Sequence, residues 1–185
     1  MTTSAETVIA PALAIRTLGT CEILLRGDVV PNEAWDDPKD LELLLALVTL
    51  DGRQVPRAEL VELVWPDLDD DRGVTEFYAA LHRLQTALGR PERKGPGFVT
   101  MVGARVSLHP MFCWADCWAF EEAVRRAHRL EVFGQRFAAR ARLEEAKSLY
   151  KGEYLPAWDG VPWVEAKRHA LDRQWRWVER QLSAA

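Results

Sequence analysis

The chain has 185 residues, 48% apolar and 28% charged, which gives room for one large globular domain or two small ones. No apolar run approaches the roughly 18 residues needed to span a bilayer, and the first residues lack the basic flank of a signal peptide, so a cytoplasmic protein with no membrane partner is expected. Net charge is −4, and the three cysteines (Cys21, Cys113 and Cys117) fit reduced thiols better than a disulfide framework.

Residues 1–11 read as a flexible leader. Alternation over residues 13–18 and 21–25 predicts two strands joined at Gly19-Thr20. Arg26-Gly27-Asp28 makes a second turn, from which Val29-Val30 pairs back. Asp37 and Pro38 announce a helix over residues 39–50, one as cap and one at the first helical position. Its run LELLLALVTL is apolar on nearly every face, which marks the centre of a core. Asp51-Gly52 ends it. Residues 56–64 form a second helix, closed by Trp65-Pro66, and residues 68–73 read as an acidic loop.

A third helix spans residues 73–88. Val74, Phe77, Leu81, Leu84 and Leu88 recur at steps of three and four and make one apolar stripe. Thr75, Glu76, Ala79, His82, Arg83 and Thr86 occupy the other face, and Gly89 and Pro91 stop the helix. RPERKGPG, residues 90–97, is a basic Pro/Gly-rich loop. Two β-rich runs, 98–102 and 105–108, flank Gly103-Ala104 and predict a tight hairpin. Helix, turn, helix and ribbon in this order outline a winged helix-turn-helix, with the third helix in the DNA major groove.

His109-Pro110 marks a candidate boundary between residues 12–109 and 110–185. Beyond it the chain reads as all α: residues 117–133 behind a cap at Asp116, residues 137–150 after the break at Gly134, and residues 163–182 after a loop with two prolines. The first two pair as one helical-repeat hairpin. The fold class is therefore α+β, a winged helix with an N-terminal antiparallel sheet followed by a helical domain.

Charge is unevenly spread. Residues 1–108 carry 11 Lys/Arg and 17 Asp/Glu, whereas from Arg72 to Arg105 six cations face only Glu76 and Glu92. The expected binding surface is locally basic on an acidic body.

Spread along the chain are segments that together resemble one family. They are ALAIRTLGTCEILLRGDVVP, RAELVELVWP, AALHRLQTALG, WADCWAFE, LYKGEYLPAW and PWVEAKRHAL. In this order they are similar to the output region of SARP-type bacterial regulators, an OmpR-like winged helix followed by a bacterial transcriptional activation domain. The resemblance implies sequence-specific binding of double-stranded DNA and contact with RNA polymerase or another regulatory protein, with a homodimer as one arrangement. The chain departs from the family at Asp36-Asp37-Pro38-Lys39-Asp40, where a basic pair is usual, and at Thr75 and Gln85, where Asn and Arg are usual.

Base contacts are expected from Thr75, Tyr78, Ala79, His82 and Arg83, with Arg83 foremost because Arg to guanine is the commonest specific contact. Phosphate contacts are expected from Arg53, Arg57, Arg90, Arg93, Lys94 and Arg105. Each of these cations also has a plainer reading as a solvated surface charge. His109, Cys113 and Cys117 fall at intervals of four, but Pro110 interrupts them and no fourth ligand follows, so no metal site and no cofactor is expected. Six tryptophans beyond residue 113 read mainly as core, with a ligand pocket or partner surface as the alternative.

No Walker loop, GxGxxG, GxSxG or HExxH motif occurs, and no enzyme is expected. No receiver segment is read either, so input is expected from another chain, from a ligand or from abundance. A second reading stays open: an interaction module that kept the fold and lost DNA, motivated by the acidic first half, Glu76 and Gln85.

Overall fold

The computed structural model describes residues 11–90 and 96–184. It begins with β1 (Leu13–Arg16) and β2 (Glu22–Leu25), antiparallel, with Leu13 opposite Leu25 and Ile15 opposite Ile23. The period of two sends Leu13, Ile15 and Ile23 into the core. β3 (Asp28–Val29) returns through a turn in which Arg26 and Gly27 are both left-handed.

α1 (Pro38–Thr49) starts as expected, with an Asp37 carboxylate oxygen accepting from Lys39 N at 2.9 Å. Leu43 to Val48 are all fully buried, so this helix is the axle of the fold. Lys39 Nζ donates to the Val64 carbonyl at 2.6 Å and so caps the C-terminus of α2 (Arg57–Val64).

α3 (Asp70–Leu88) is longer than its apolar stripe suggests. The stretch expected as an acidic loop supplies its first turn. Asp69 accepts from Arg72 N at 2.9 Å, and Asp70 and Asp71 sit at the positive end of the helix dipole. Gly73 lies against Val61, where a Cβ would come within 2.6 Å of Cγ1, so the absence of a side chain lets α2 and α3 approach.

β5 (Val99–Val102) and β6 (Arg105–Leu108) form the expected hairpin, with Val102 opposite Arg105. β4 (Val55–Pro56) adds to β6 and completes a three-stranded sheet.

β7 (Cys113–Ala115) is an addition to the expected elements. It pairs parallel with β1, giving the first sheet the order β3-β2-β1-β7. Three helices follow: α4 (Asp116–Val132), α5 (Arg136–Leu149) and α6 (Pro162–Ser183). The division expected near residues 109–110 falls between β6 and β7, and residues on both sides contribute to one continuous apolar cluster.

Polar ties cross that line. Asp116, expected as a cap, is the first residue of α4, and its carboxylate also turns back to the end of β1. It accepts from Thr17 N at 2.8 Å, Thr17 Oγ1 at 2.7 Å, Leu18 N at 2.9 Å and Cys117 N at 2.8 Å. Trp118 Nε1 donates to the Val48 carbonyl at 2.8 Å, and its ring covers Gly52, whose φ of +62° and lack of Cβ leave it room. Lys167 lies 3.6 Å from Asp51, and the buried Tyr154 hydroxyl meets Thr49 Oγ1 at 2.7 Å. The chain is thus α+β, a winged helix with its N-terminal sheet, carrying a helical layer.

Candidate nucleic-acid interface

α3 divides as an amphipathic helix should. Phe77, Ala80, Leu81, Leu84 and Leu88 are buried, while Thr75, Glu76, Tyr78, Ala79, His82 and Thr86 are exposed. Two side chains hold the helix in place. Gln85 Nε2 donates to the Val99 carbonyl at 3.1 Å, tying α3 to the wing. Gln85 is therefore a structural strap.

The second is Arg83. Its Nε lies 3.0 Å from both oxygens of Asp40, and its Nη2 lies 2.8 Å from Oδ1. This pairing raises the guanidinium pKa, chiefly through the Asp40 hydrogen bond. The structure thus gives the foremost expected base reader another occupation. Withdrawing Arg83 toward a base would strand a buried carboxylate, at a cost of about 3–5 kcal/mol.

Arg57, Tyr78 and Arg105 come together at one edge of α3. Arg57 Nη1 donates to the Tyr78 hydroxyl at 2.7 Å, and its guanidinium carbon stands 5.5 Å from the ring centroid. Arg57 N donates to the Ala104 carbonyl at 2.8 Å, which brings the wing turn to the start of α2. Arg105, opposite Pro56 in the ladder, donates to the Gln54 carbonyl at 2.8 Å. Arg57 and Arg105 are thus braced cations on two adjacent elements.

At the far end of α3, Arg26 Nη2 donates to the Arg90 carbonyl at 2.5 Å. The sequence marks Arg26 only as a turn residue. Its backbone is left-handed, φ 56°, and nothing in the residue type reveals the contact. Arg53 is not gathered with this group, because it shares a groove with Asp51, Glu121, Arg125 and Arg126 beside α4. Arg93 and Lys94 lie outside the described residues. Thr75 Oγ1 donates to the Asp71 carbonyl at 2.9 Å.

His109, Cys113 and Cys117 do not converge. Cys113 Sγ donates to the Phe98 carbonyl at 3.6 Å, the His109 ring lies against Phe112, and Cys117 sits in α4. Burial pushes both thiols up to about 12, so they stay protonated at neutral pH. Among the described residues no group of three His, Cys, Asp or Glu is placed to hold a metal. Nor is any helix among them long and apolar enough to cross a membrane.

The tryptophans divide between core and ring stacks. Trp163 is buried beside Trp158, Trp175 stacks on Tyr150 at 4.5 Å, and Trp177 stacks on His128 at 3.5 Å.

No protein-family model and no curated protein sequence matches the chain. Among solved structures, it is similar to EmbR of Mycobacterium tuberculosis in complex with a low-affinity phosphopeptide, with a TM-score of 0.71 and 19% identity. The match covers 92% of this chain and 44% of that chain, so the chain spans under half the length of EmbR. At this identity the likeness is one of fold, a winged helix joined to a helical domain.

Proposed function

We propose that the chain is a sequence-specific DNA-binding transcription regulator, with α3 in the major groove and the β5–β6 wing on the backbone or minor groove. The observation that carries the reading is the polar face of α3, Thr75, Glu76, Tyr78, Ala79, His82 and Thr86. It is left exposed by every other described element, and Arg57 and Arg105 brace its edge. The fold shared with EmbR and the resemblance to SARP-type regulators support it.

Base reading falls to Thr75, Tyr78, Ala79 and His82. Glu76 accepts from a cytosine amine, since it would otherwise repel phosphate. Arg57, Arg105 and Arg90 take phosphates, together with Arg26, Arg93 and Lys94. The helical layer serves contacts with polymerase, another regulator or a second copy.

Selection of bound duplexes from a random-sequence pool tests the reading. One enriched motif is expected, and its internal repeats give the number of copies bound. One observation favours the rival interaction module: the only cation in the middle of α3, Arg83, is spent on Asp40. On that reading no duplex is enriched, even at low ionic strength.

A further inference from the structure

The helical layer concentrates positive charge. Residues 125–142 hold Arg125, Arg126, Arg129, Arg136, Arg140 and Arg142 against one carboxylate, Glu131, on a chain whose net charge is −4. Glu122 absorbs Arg125 and Arg126 at 2.8 and 2.6 Å, and these two guanidiniums hold its carboxyl at about 2. Glu145 holds Arg142 at 2.5 Å, and the remaining pairs are looser. Arg129 stands 3.7 Å from Glu122, Arg140 stands 3.8 Å from Glu144, and Arg136 has no ion pair among the described residues.

Apolar side chains protrude at the same corner. Val132, Phe133 and Phe137, where α4 turns into α5, are 83%, 75% and 91% exposed. Beside them runs a groove with Ala139 and Leu143 in its floor and Arg136, Arg140, Gln181 and one carboxylate, Glu131, around it. Two exposed phenylalanines within an arginine cluster combine aromatic area with the cation most enriched in protein-binding hot spots.

We infer that this corner and groove receive an amphipathic helix of a partner protein, with leucines on one stripe and carboxylates beside it. Charge and apolarity must both be answered. A second copy meeting the same corner would set the loosely paired Arg129, Arg136 and Arg140 against their own counterparts. A phosphate backbone would engage the arginines and leave the phenylalanines in water. A helix with an apolar stripe and an acidic flank satisfies both, in the helix-in-groove mode. The inference is independent of DNA binding, since none of these residues belongs to α3 or the wing.

The probe is a fluorescein-labelled synthetic helix of about 18 residues, with Leu at i, i+3, i+4 and i+7 and Glu elsewhere. It is titrated with the full chain and followed by anisotropy. Saturable binding with Kd of about 10–100 µM is expected, with at least tenfold weaker binding when Lys replaces Glu or the Leu stripe is scrambled. Phe133→Ser with Phe137→Ser, and separately Arg136→Glu with Arg140→Glu, each lower affinity about tenfold or more. Phe137→Leu retains it, and circular dichroism confirms that each variant folds. Arg57→Ala leaves peptide binding unchanged, so failure of the DNA reading shows separately. The inference is overturned if the Leu/Glu peptide shows no saturable binding, or if the Lys peptide binds as well. It is also overturned if phosphatidylglycerol vesicles or random duplex DNA, and not the peptide, bind in a manner that depends on Phe133 and Phe137.

Discussion

Arg83 on α3 grips Asp40 on α1 from the side, with Nε 3.0 Å from both carboxylate oxygens of a side chain only 2% exposed. The pair ties the flank of α3 to α1, while the buried stripe from Phe77 to Leu88 sets which residues face outward. Removing one partner of a buried pair leaves an unpaired charge, which costs more than the pair itself contributes. Arg83→Ala should therefore lose about 3–5 kcal/mol in chemical denaturation, while Asp40→Leu with Arg83→Leu should recover most of it. Where both proteins are folded, the ratio of specific to random DNA affinity should be unchanged. A variant that folds normally but loses only the specific site would return Arg83 to the role of base reader.

Asp116 is the polar hinge between the N-terminal sheet and the helical layer. Its carboxylate serves three backbone amides and one hydroxyl, all within 2.9 Å. Asp116→Ala strands those donors in a buried setting, at about 1–3 kcal/mol for each one left unsatisfied. A loss of at least about 3 kcal/mol is expected in urea unfolding, with the Thr17 and Leu18 amides losing protection against hydrogen exchange. A loss under about 1 kcal/mol would mean that water replaces the carboxylate without penalty.

Burial raises Cys113 and Cys117 from an ordinary 9.0 to about 12. Below pH 9 both thiols are neutral whether the chain is folded or not, and stability is unaffected. Above pH 9 the unfolded chain releases its thiol protons and the folded chain retains them. Stability then falls by about 1.4 kcal/mol per pH unit per thiol until pH approaches 12. Cys113→Ala with Cys117→Ala should flatten this alkaline decline relative to the parent. At about pH 8, a thiol reagent should modify half-buried Cys21 well before the other two. Equal rates for all three would contradict the burial.

The DNA-facing residues should separate by role. His82→Ala should weaken binding to the selected site by about 5- to 150-fold and leave random duplex nearly unaffected, the signature of a lost base contact. Arg57→Ala should weaken both alike and reduce the salt slope by about one. A reversal of these patterns would place the helix in a different register in the groove.

Much of the fold is legible in the sequence because it rests on local signals. Asp37-Pro38 and an all-apolar run mark α1, the stripe from Phe77 to Leu88 marks α3, and Gly103-Ala104 between two β-rich runs marks the wing. The first turn of α3 escapes because Asp69, Asp70 and Asp71 carry no apolar period, although acids before an amphipathic stripe are themselves a capping signal. β7 is invisible because three residues are too few for alternation and their partner, β1, lies far away in the chain. The binding face is legible as a face but not residue by residue. Nothing local shows that Asp40, on a different helix, claims Arg83, or that Gln85 is tied to Val99.

That α3 and the wing grip DNA is tested most directly by a salt series of anisotropy titrations on the selected duplex, from about 50 to 200 mM monovalent salt. With four to six phosphates neutralised by Arg57, Arg105, Arg90, Arg26, Arg93 and Lys94, log affinity should fall against log salt with a slope of about −4 to −5. No measurable association at the lowest salt, by a chain shown to be folded, would contradict the regulator reading and leave the winged helix as a platform for protein contacts.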